Sequence, residues 1–496
     1  MLGGACVTES LWPGYRVSRA AYVLSLLRPR IVRDLALQEL GLQLLPRSPS
    51  SITPLADGRS LVLGADLAKN QAEIGRFSVR DAEAYPRYEA FLERAASAIE
   101  PLLDRPPAVW PPRGAASLGS WLTALRGAAS LGRDLPRAVH ALLAPARELL
   151  EEWFESEPLR ATLATDGAIG AFAGPSTPGT GYVLFHHVMG SLGGARGVWA
   201  YVRGGMGALS DALAAAAHRS GATLRTDAEV TRLLLRDGRV SGVVLASGEE
   251  IVADAVACST DLARALNWIH DRDVLPDELV RAAAQIDYRS PVFKLNLALG
   301  ELPRFRMTDR AEAPPLCGTI HIGSPDLDSL EIAHAQAVAG ELSERPVVEL
   351  TIPSTLDPTL APPGRYVASV FAQYAPALPA SDPRWPALRA QMQSRVVGLI
   401  EELAPGFSRS IEHVEVLAAP DLEAIFGLTG GNIFQGAMTP HRLYFLRPMP
   451  GWSDYRTPVA GLYLCGAATH PGGGVMGACG RNAALELLTD LRRISR

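Results

Sequence analysis

Cysteine is scarce in this chain of 496 residues, and the five present (Cys6, Cys258, Cys317, Cys465 and Cys479) are too dispersed for a secreted disulfide framework. No two stand in CxxC or CxxxxC spacing, which argues against a redox-active disulfide centre. Zinc-ligand spacing is missing too, since His186 and His187 are adjacent and point two ways, so no metal is expected. No run of about 18 apolar residues occurs, and no membrane-spanning segment is expected. The longest stretch without charge, 167–195, is full of Gly, Pro, Ser and Thr and reads as a loop-and-strand lining. Positive charge is not in excess: 47 Lys and Arg against 52 Asp and Glu leave a net −5, with no nucleic-acid footprint. With 20% charged and 48% hydrophobic residues, the composition is that of a globular chain, and the length predicts two domains.

What is present concentrates near the C-terminus. Residues 462–465 are a short apolar run between turn signals, the pattern of a strand buried on both faces. A loop containing Gly466, Ala467, His470, Gly473 and Gly474 follows, and a helical pattern resumes near Val475 and Met476. That order aims unpaired N–H groups and the positive end of a helix at a bound anion or electron-rich ring, and glycines let the ligand come close. A flavin suits the arrangement. Its pyrimidine edge gains negative charge on reduction, which a helix N-terminus stabilises by roughly 0.3–1 kcal/mol. The same spacing also fits a strand-to-helix turn with no ligand.

Earlier in the chain, 31–40 reads as a helix closed by Gly41, and 42–45, 51–55 and 60–63 as short strands with Asp57-Gly58 as a hairpin turn. Helical periodicity begins at Asp66. Ser78 and Asp81 form an N-cap arrangement, and Tyr85, Tyr88, Phe91, Leu92 and Ala95 follow as a stripe assigned to the core, not to a substrate slot. Prolines between 101 and 112 break the pattern before a second helical stretch over 117–154. The segment around Tyr182, His186, His187 and Met189 is read as core with satisfied histidines; the competing reading turns one imidazole toward a substrate.

Gly204-Gly205-Met206-Gly207 opens a helix over 208–218, followed by a strand at 223–225 and a hairpin of 230–235 with 240–245 about Asp237-Gly238. A third strand after Gly248 and a buried strand at 255–258 come next, with Asp261 as a helix cap. Strands at 291–299, 319–322, 347–352 and 366–373 and a helix at 389–403 make a second region. Lys294, inside an apolar run, either carries a lowered pKa or snorkels to an edge; snorkelling is the commoner outcome.

Several glycine-punctuated blocks carry a resemblance: Gly3-Gly4-Ala5-Cys6-Val7-Thr8, Gly204-Gly205-Met206-Gly207, Gly430-Gly431-Asn432-Ile433-Phe434 and the C-terminal loop itself. On these the chain resembles the pyridine nucleotide-disulphide oxidoreductase domain-containing protein 2 family, and its C-terminal segment resembles the flavin-binding signature of bacterial-type phytoene desaturases. The resemblance implies an α/β, FAD/NAD(P)-binding Rossmann-like flavoprotein fold with an inserted α+β substrate domain, and FAD as cofactor. It implies flavin-domain parts at 1–65, 201–290 and 456–496, a mostly helical cap at 66–200 and a strand-rich substrate part at 291–455. Cofactor contacts carried over are Gly3, Gly4, Thr8, Gly205, Val230 through its backbone, Gly466, Ala467, Gly473, Gly474, Val475 and Met476. His470, within the flavin loop, is the catalytic candidate.

In the family a βαβ unit with a GxGxxG loop comes first. This chain opens at the glycine pair that should follow it, so the fold is expected to lack that unit, through a reading frame begun at an internal methionine or through a short isoform.

The implied activity is dehydrogenation of an apolar small molecule by hydride transfer to FAD. Two alternatives stand beside it: an amine-oxidase-like flavoenzyme with Tyr182, Tyr444 and Trp452 as an aromatic cage, and a non-catalytic binding or regulatory protein. The family also implies a regulator of mitochondrial function with a protein partner there, in the matrix of a eukaryote or the cytoplasm of a bacterium.

Overall fold

The computed structural model describes residues 2–111, 114–192 and 195–494. Its largest sheet has seven strands in the order Ile411–Leu417, Phe293–Leu299, Tyr366–Gln373, Val347–Thr351, Thr319–Ile322, Ser51–Pro54 and Ser60–Leu63. Neighbours are antiparallel except where Thr319–Ile322 runs parallel to Ser51–Pro54. Alternation along the strands splits apolar from polar residues. Leu295, Leu297, Ile320, Val348, Leu350 and Val370 face the helix Trp385–Leu403, meeting its Met392, Val396 and Leu399. Each such side chain contributes roughly 1.5–3 kcal/mol by leaving water.

The opposite face is also covered, although it is polar. A cross-strand row of His321, Glu349, Phe371 and Lys294 runs over it, with Thr351, Ser369 and Asn296 in the next row. Solvent does not satisfy these groups, so the layer above must. Residues 51–63 belong to this sheet, so the last strands of segment 1–65, expected as a flavin-domain part, pair with the strands of 291–455.

Above the polar face lie the helices Leu67–Gly75, Val79–Leu103, Ala146–Trp153, Glu157–Ala168 and Thr180–Val188, joined in one apolar cluster. Ser78 caps Val79–Leu103 by accepting from Asp81 N at 3.1 Å, as expected. Asp81 does not return the bond; its carboxylate accepts from Glu155 N and Ser156 N, fixing the start of the helix Glu157–Ala168. The helical stretch expected over 117–154 is divided among Gly114–Leu131, Leu135–Leu143 and Ala146–Trp153, because Gly132 adopts φ 51 and Pro136 and Pro145 each start a new segment. Pro101 does not end Val79–Leu103. The expected loop-and-strand lining at 167–195 contains the helix Thr180–Val188. Its glycines mostly flank the apolar run instead of interrupting it, with Gly179 (φ 89) preceding the first turn. Gly193 and Gly194 lie outside the described residues.

The third part pairs Val256–Cys258 in parallel with Leu462–Leu464. Beside it stands the sheet Glu250–Val252, Arg239–Leu245, Val230–Arg236, whose turn at Asp237 (φ 52) and Gly238 (φ 74) suits a two-residue hairpin. Asp261 caps Leu262–Asn267, accepting from Arg264 N at 3.1 Å. Two expectations fail here. Residues 223–225 form no strand and are exposed, having no ladder partner among the described residues. The helix expected over 31–40 is the shorter Pro29–Asp34, after which Ala36 takes φ 50.

Candidate functional site

The two glycine-rich segments approach each other through shared packing. Cys6, two residues after Gly4, and Val475 lie against one cluster made of Leu24, Leu27, Ile31, Met206 and Leu209. Arg28 N donates to Met476 O at 3.1 Å. Gly3 (φ 112), Gly4 (φ 54) and Gly474 (φ 116) are exposed in conformations that favour glycine, and no atom lies within 4 Å of where a Gly4 Cβ would stand. Val475 holds φ 57, uncommon for a β-branched residue, just before the helix Ala478–Ile494. That helix starts three residues later than the sequence suggests, which leaves 474–477 as exposed or half-buried turn apart from Met476.

The loop is held from beneath. Arg447, 2% exposed, donates to the carbonyls of Phe434, Gly436, Ala437, Arg442 and Ala467. Gln435 Oε1 accepts from Ala468 N at 3.2 Å. A Cβ at Gly466 would strike the Ser259 carbonyl, so that glycine lets the loop cross close to the strand end. His186 supports the tip: its Nε2–H donates to Gly473 O at 2.9 Å, and burial holds its pKa down to about 3. Because the carbonyl can only accept, Nδ1 is the bare nitrogen, buried and without a partner among the described residues.

Other nominated residues have different neighbours. Thr8 Oγ1 accepts from Gly207 N at 2.9 Å and Ser18 Oγ from Met206 N at 3.0 Å, together capping the helix Gly207–Arg219. A Cβ on Gly205 would collide with the Thr8 hydroxyl, so these two nominated residues fit each other. Val230 begins a strand of the separate three-stranded sheet, paired with Leu245. The His470 ring is turned toward the cap: Nε2–H donates to Leu102 O at 2.9 Å and the ring packs edge-on against Tyr444. Burial holds its pKa down to about 4, and it does not line the cavity described next.

Lys294 does not snorkel; its Nζ donates to Ser18 O, Arg19 O and Asn296 Oδ1, and burial lowers its pKa to about 7. Tyr182, Tyr444 and Trp452 form no cage. Tyr182 lies against His186, Tyr444 against Phe445 and His470, and Trp452 against the cluster that holds Leu462.

A cavity of about 670 Å³ lies between the helices and the polar face of the large sheet. Tyr85, Tyr88 and Leu92, assigned from sequence to the core, line it as well as packing behind it. Tyr22 and Ile433 line one end and pack with Ala5 of the opening segment, while Ile433 and Phe434 abut Gly473. One end of the cavity therefore reaches both glycine-rich segments. His187, not His186, faces it, stacked on Trp199 with its Nδ1–H given to Val183 O at 2.8 Å.

Among the further polar residues that line it and that sequence reading did not single out are Arg47, Glu89, Asp166, His321 and Glu349. Burial raises Glu349 to about 8, raises Asp166 and lowers His321 to about 4. The only local signal was a polar residue at alternate positions of apolar strands, as in Thr319-Ile320-His321-Ile322. Among the described residues no group of three His, Cys, Asp or Glu is placed to hold a metal ion, and no helix is long and apolar enough to cross a membrane.

The parallel strand pair, the glycine-rich turn into a helix and the adjoining cavity are the parts of a Rossmann-like flavoprotein fold. The profile of the flavin containing amine oxidoreductase family matches residues 39–322. Cyclohexylamine oxidase from Brevibacterium oxydans shares the fold with a TM-score of 0.54, over 99% of this chain and 92% of its own, at 16% identity.

Within that class the kinship is closer. A rat protein named pyridine nucleotide-disulfide oxidoreductase domain-containing protein 2 is 47% identical over 100% of this chain and 88% of its own length, and the chain belongs to that family. Phytoene desaturase (lycopene-forming) from Pseudescherichia vulneris is 26% identical, over 91% of this chain and 84% of its own.

Proposed function

We propose that the protein is an FAD-dependent oxidoreductase that dehydrogenates a largely apolar substrate held in the 670 Å³ cavity. The observation that carries this reading is the meeting, at one end of that cavity, of the Gly3-Gly4 segment and the loop before Ala478–Ile494. The residues fit a flavin. Gly4 stands in open space, Gly3 and Gly474 are exposed but lie too close to Ser210 and Leu26 to carry a side chain, and the first turn of Ala478–Ile494 presents N–H groups that the helix itself cannot pair.

Gly3, Gly4, Gly466, Ala467, Gly473, Gly474, Val475 and Met476 would hold the cofactor, with Thr8 and Gly205 shaping the helix start behind them and Val230 assigned to the adenine end. When bound, FAD supplies the acceptor for a hydride leaving a C–H bond. The helix N-terminus stabilises negative charge by roughly 0.3–1 kcal/mol, and ~2 kcal/mol where partly buried. Tyr85, Tyr88 and Leu92 exclude water and align the substrate body. His470 is given no part in the chemistry, since its ring is committed to Leu102 O.

The proposed division assigns 66–200, 291–455 and the strands within 51–63 to the substrate side, and the rest to the flavin side. On the family resemblance the proposal extends to a regulatory role in mitochondria, with a matrix location in a eukaryotic host and a cytoplasmic one in a bacterial host.

The test is to titrate the purified protein with FAD, follow the flavin absorbance, and then add phytoene without oxygen. Uptake followed by bleaching supports the reading; uptake without bleaching rules out a pure hydrocarbon as substrate; no uptake ends the reading. Gly474→Val should weaken FAD uptake roughly tenfold, since a branched side chain at φ 116 disturbs the loop tip.

A further inference from the structure

One wall of the cavity, on the polar face of the large sheet, carries charged groups that the described residues pair incompletely. Arg47 is 5% exposed; its Nη1 donates to Thr319 Oγ1 at 2.7 Å, its guanidinium lies over the Tyr201 ring, and its buried Nε has no partner among the described residues. Glu349, 7% exposed, accepts a long 3.3 Å bond from the Tyr22 hydroxyl and stands 4.0 Å from His321 Nδ1. Asp166 feels Arg47 and His187 only through space. Elsewhere in the lining Arg196 meets Glu93 at 2.7 Å and Glu100 at 2.9 Å, while burial raises Glu89 against the hydrogen bond from Tyr85.

A buried ionisable group short of partners is costly, and the cost is tolerated where an occupant completes the bonding. The charges decide what sort of occupant. Arg47 is permanently cationic. Burial raises both carboxyls, Glu349 to about 8 with Asp166 adding to the rise, so the Glu349 carboxyl is a hydrogen-bond donor at neutral pH. His321 is neutral, its pKa lowered by burial and by Arg47, and the Tyr22 hydroxyl is held protonated by burial and by Glu349. The wall offers donors from Arg47 and the Glu349 carboxyl and acceptors from the carboxyl oxygens. An anionic head would face two carboxyls and a cationic head the guanidinium; an uncharged head that donates and accepts meets neither repulsion.

We propose that the substrate is amphipathic, with an apolar body along Tyr85, Tyr88 and Leu92 and one uncharged hydrogen-bonding end, a hydroxyl or carbonyl, seated among Arg47, Asp166 and Glu349. This rests on the reading of the cavity as the substrate site.

The test is calorimetric titration of the protein at neutral pH with three probes of equal chain length: 1-octanol, octanoate and octylamine. The expected result is binding of 1-octanol roughly tenfold tighter than either charged probe, the size of one well-made hydrogen bond. Glu349→Gln, which keeps a donor and an acceptor, should hold 1-octanol within about twofold, whereas Glu349→Leu should lose roughly tenfold. Equal or tighter binding of octanoate or octylamine overturns the proposal, as does failure of all three to bind, or unchanged 1-octanol affinity in Glu349→Leu. The wild-type comparison stands even if a variant misfolds. No flavin is needed for the titration, so failure to take up FAD sinks the oxidoreductase reading alone, and loss of probe discrimination sinks this one alone.

Discussion

Two buried arginines show how differently the two halves of the site are made. Arg447, under the C-terminal loop, is surrounded by five backbone carbonyls that use every nitrogen of its guanidinium. Arg47, in the cavity wall, makes one hydrogen bond to Thr319 and leaves its Nε without a partner among the described residues. The first arginine completes the bonding of main chain that has no regular secondary structure, which is how an irregular loop can be buried at all. The second is itself incomplete. Where the chain satisfies its own polar groups it builds a rigid frame for a ligand, and where it leaves them short it presents the surface that a ligand completes.

The sharpest way to break this contrast is to remove both cations. Arg447→Met should destabilise the protein by about 4 kcal/mol or more, because five buried carbonyls lose a charged donor at once. Arg47→Met should cost less, about 2 kcal/mol, since one side-chain hydrogen bond is lost and the two carboxyls that the guanidinium holds down can take up protons instead. Urea midpoints of the two variants measure the difference. Equal losses would mean that Arg47 belongs to the frame and not to the ligand surface.

A smaller effect is expected at the junction behind the glycine segments. Gly205→Ala places a methyl against the Thr8 hydroxyl at a backbone φ of 81, and should cost about 3 kcal/mol through the clash and the left-handed conformation together. Gly4→Ala, with open space around it, should cost only about 1 kcal/mol at φ 54. Thermal unfolding of the pair shows whether crowding or conformation dominates there.

Lys294 sharpens the comparison from the middle of the sheet, because it is a buried cation site with a full set of acceptors. Lys294→Met should cost about 2 kcal/mol by stranding Ser18 O and Asn296 Oδ1. Burial lowers the folded pKa to about 7 from an ordinary 10.5, so above about pH 7 the unfolded chain binds more protons than the folded one. Wild-type stability therefore rises between those values, and the loss in Lys294→Met should be larger near pH 9 than near pH 6. An unchanged loss would place Nζ in contact with water.

How legible all this was in the sequence follows from how local each feature is. The strand Thr319–Ile322 and the hairpin at Asp237-Gly238 are written in a few consecutive residues, and both were readable. The glycines of 466–474 were readable for the same reason, since a turn into a helix has a local grammar. The cavity wall was not, because Arg47, Asp166, His321 and Glu349 come from four elements separated by up to about 300 residues and share no motif. Alternation in Val347–Thr351 announces a strand with one polar face, and nothing local says whether that face meets solvent or a cavity. His470 misled in the opposite sense. Its place in the glycine loop suggested chemistry, while its ring direction, set by Leu102 and Tyr444, is a tertiary fact.

The last prediction probes the incomplete wall directly. In the folded protein burial raises Glu349 to about 8, against an ordinary 4.5 in the unfolded chain. Between those values the folded state binds the extra proton, so wild-type stability falls as pH rises through that window, by at most about 1.4 kcal/mol per pH unit. Glu349→Gln carries no titrating group, so its stability relative to wild type should improve steadily from about pH 5 to about pH 8. The groups facing Glu349 across the cavity and along its row set the sign: Asp166 pushes the carboxyl up, Arg47 and the Tyr22 hydroxyl oppose it, and His321 stays neutral. Urea midpoints of both proteins at several pH values measure it. A flat difference would mean that Glu349 is ionised throughout and that Arg47 is paired after all, which would erase the distinction between the two arginines.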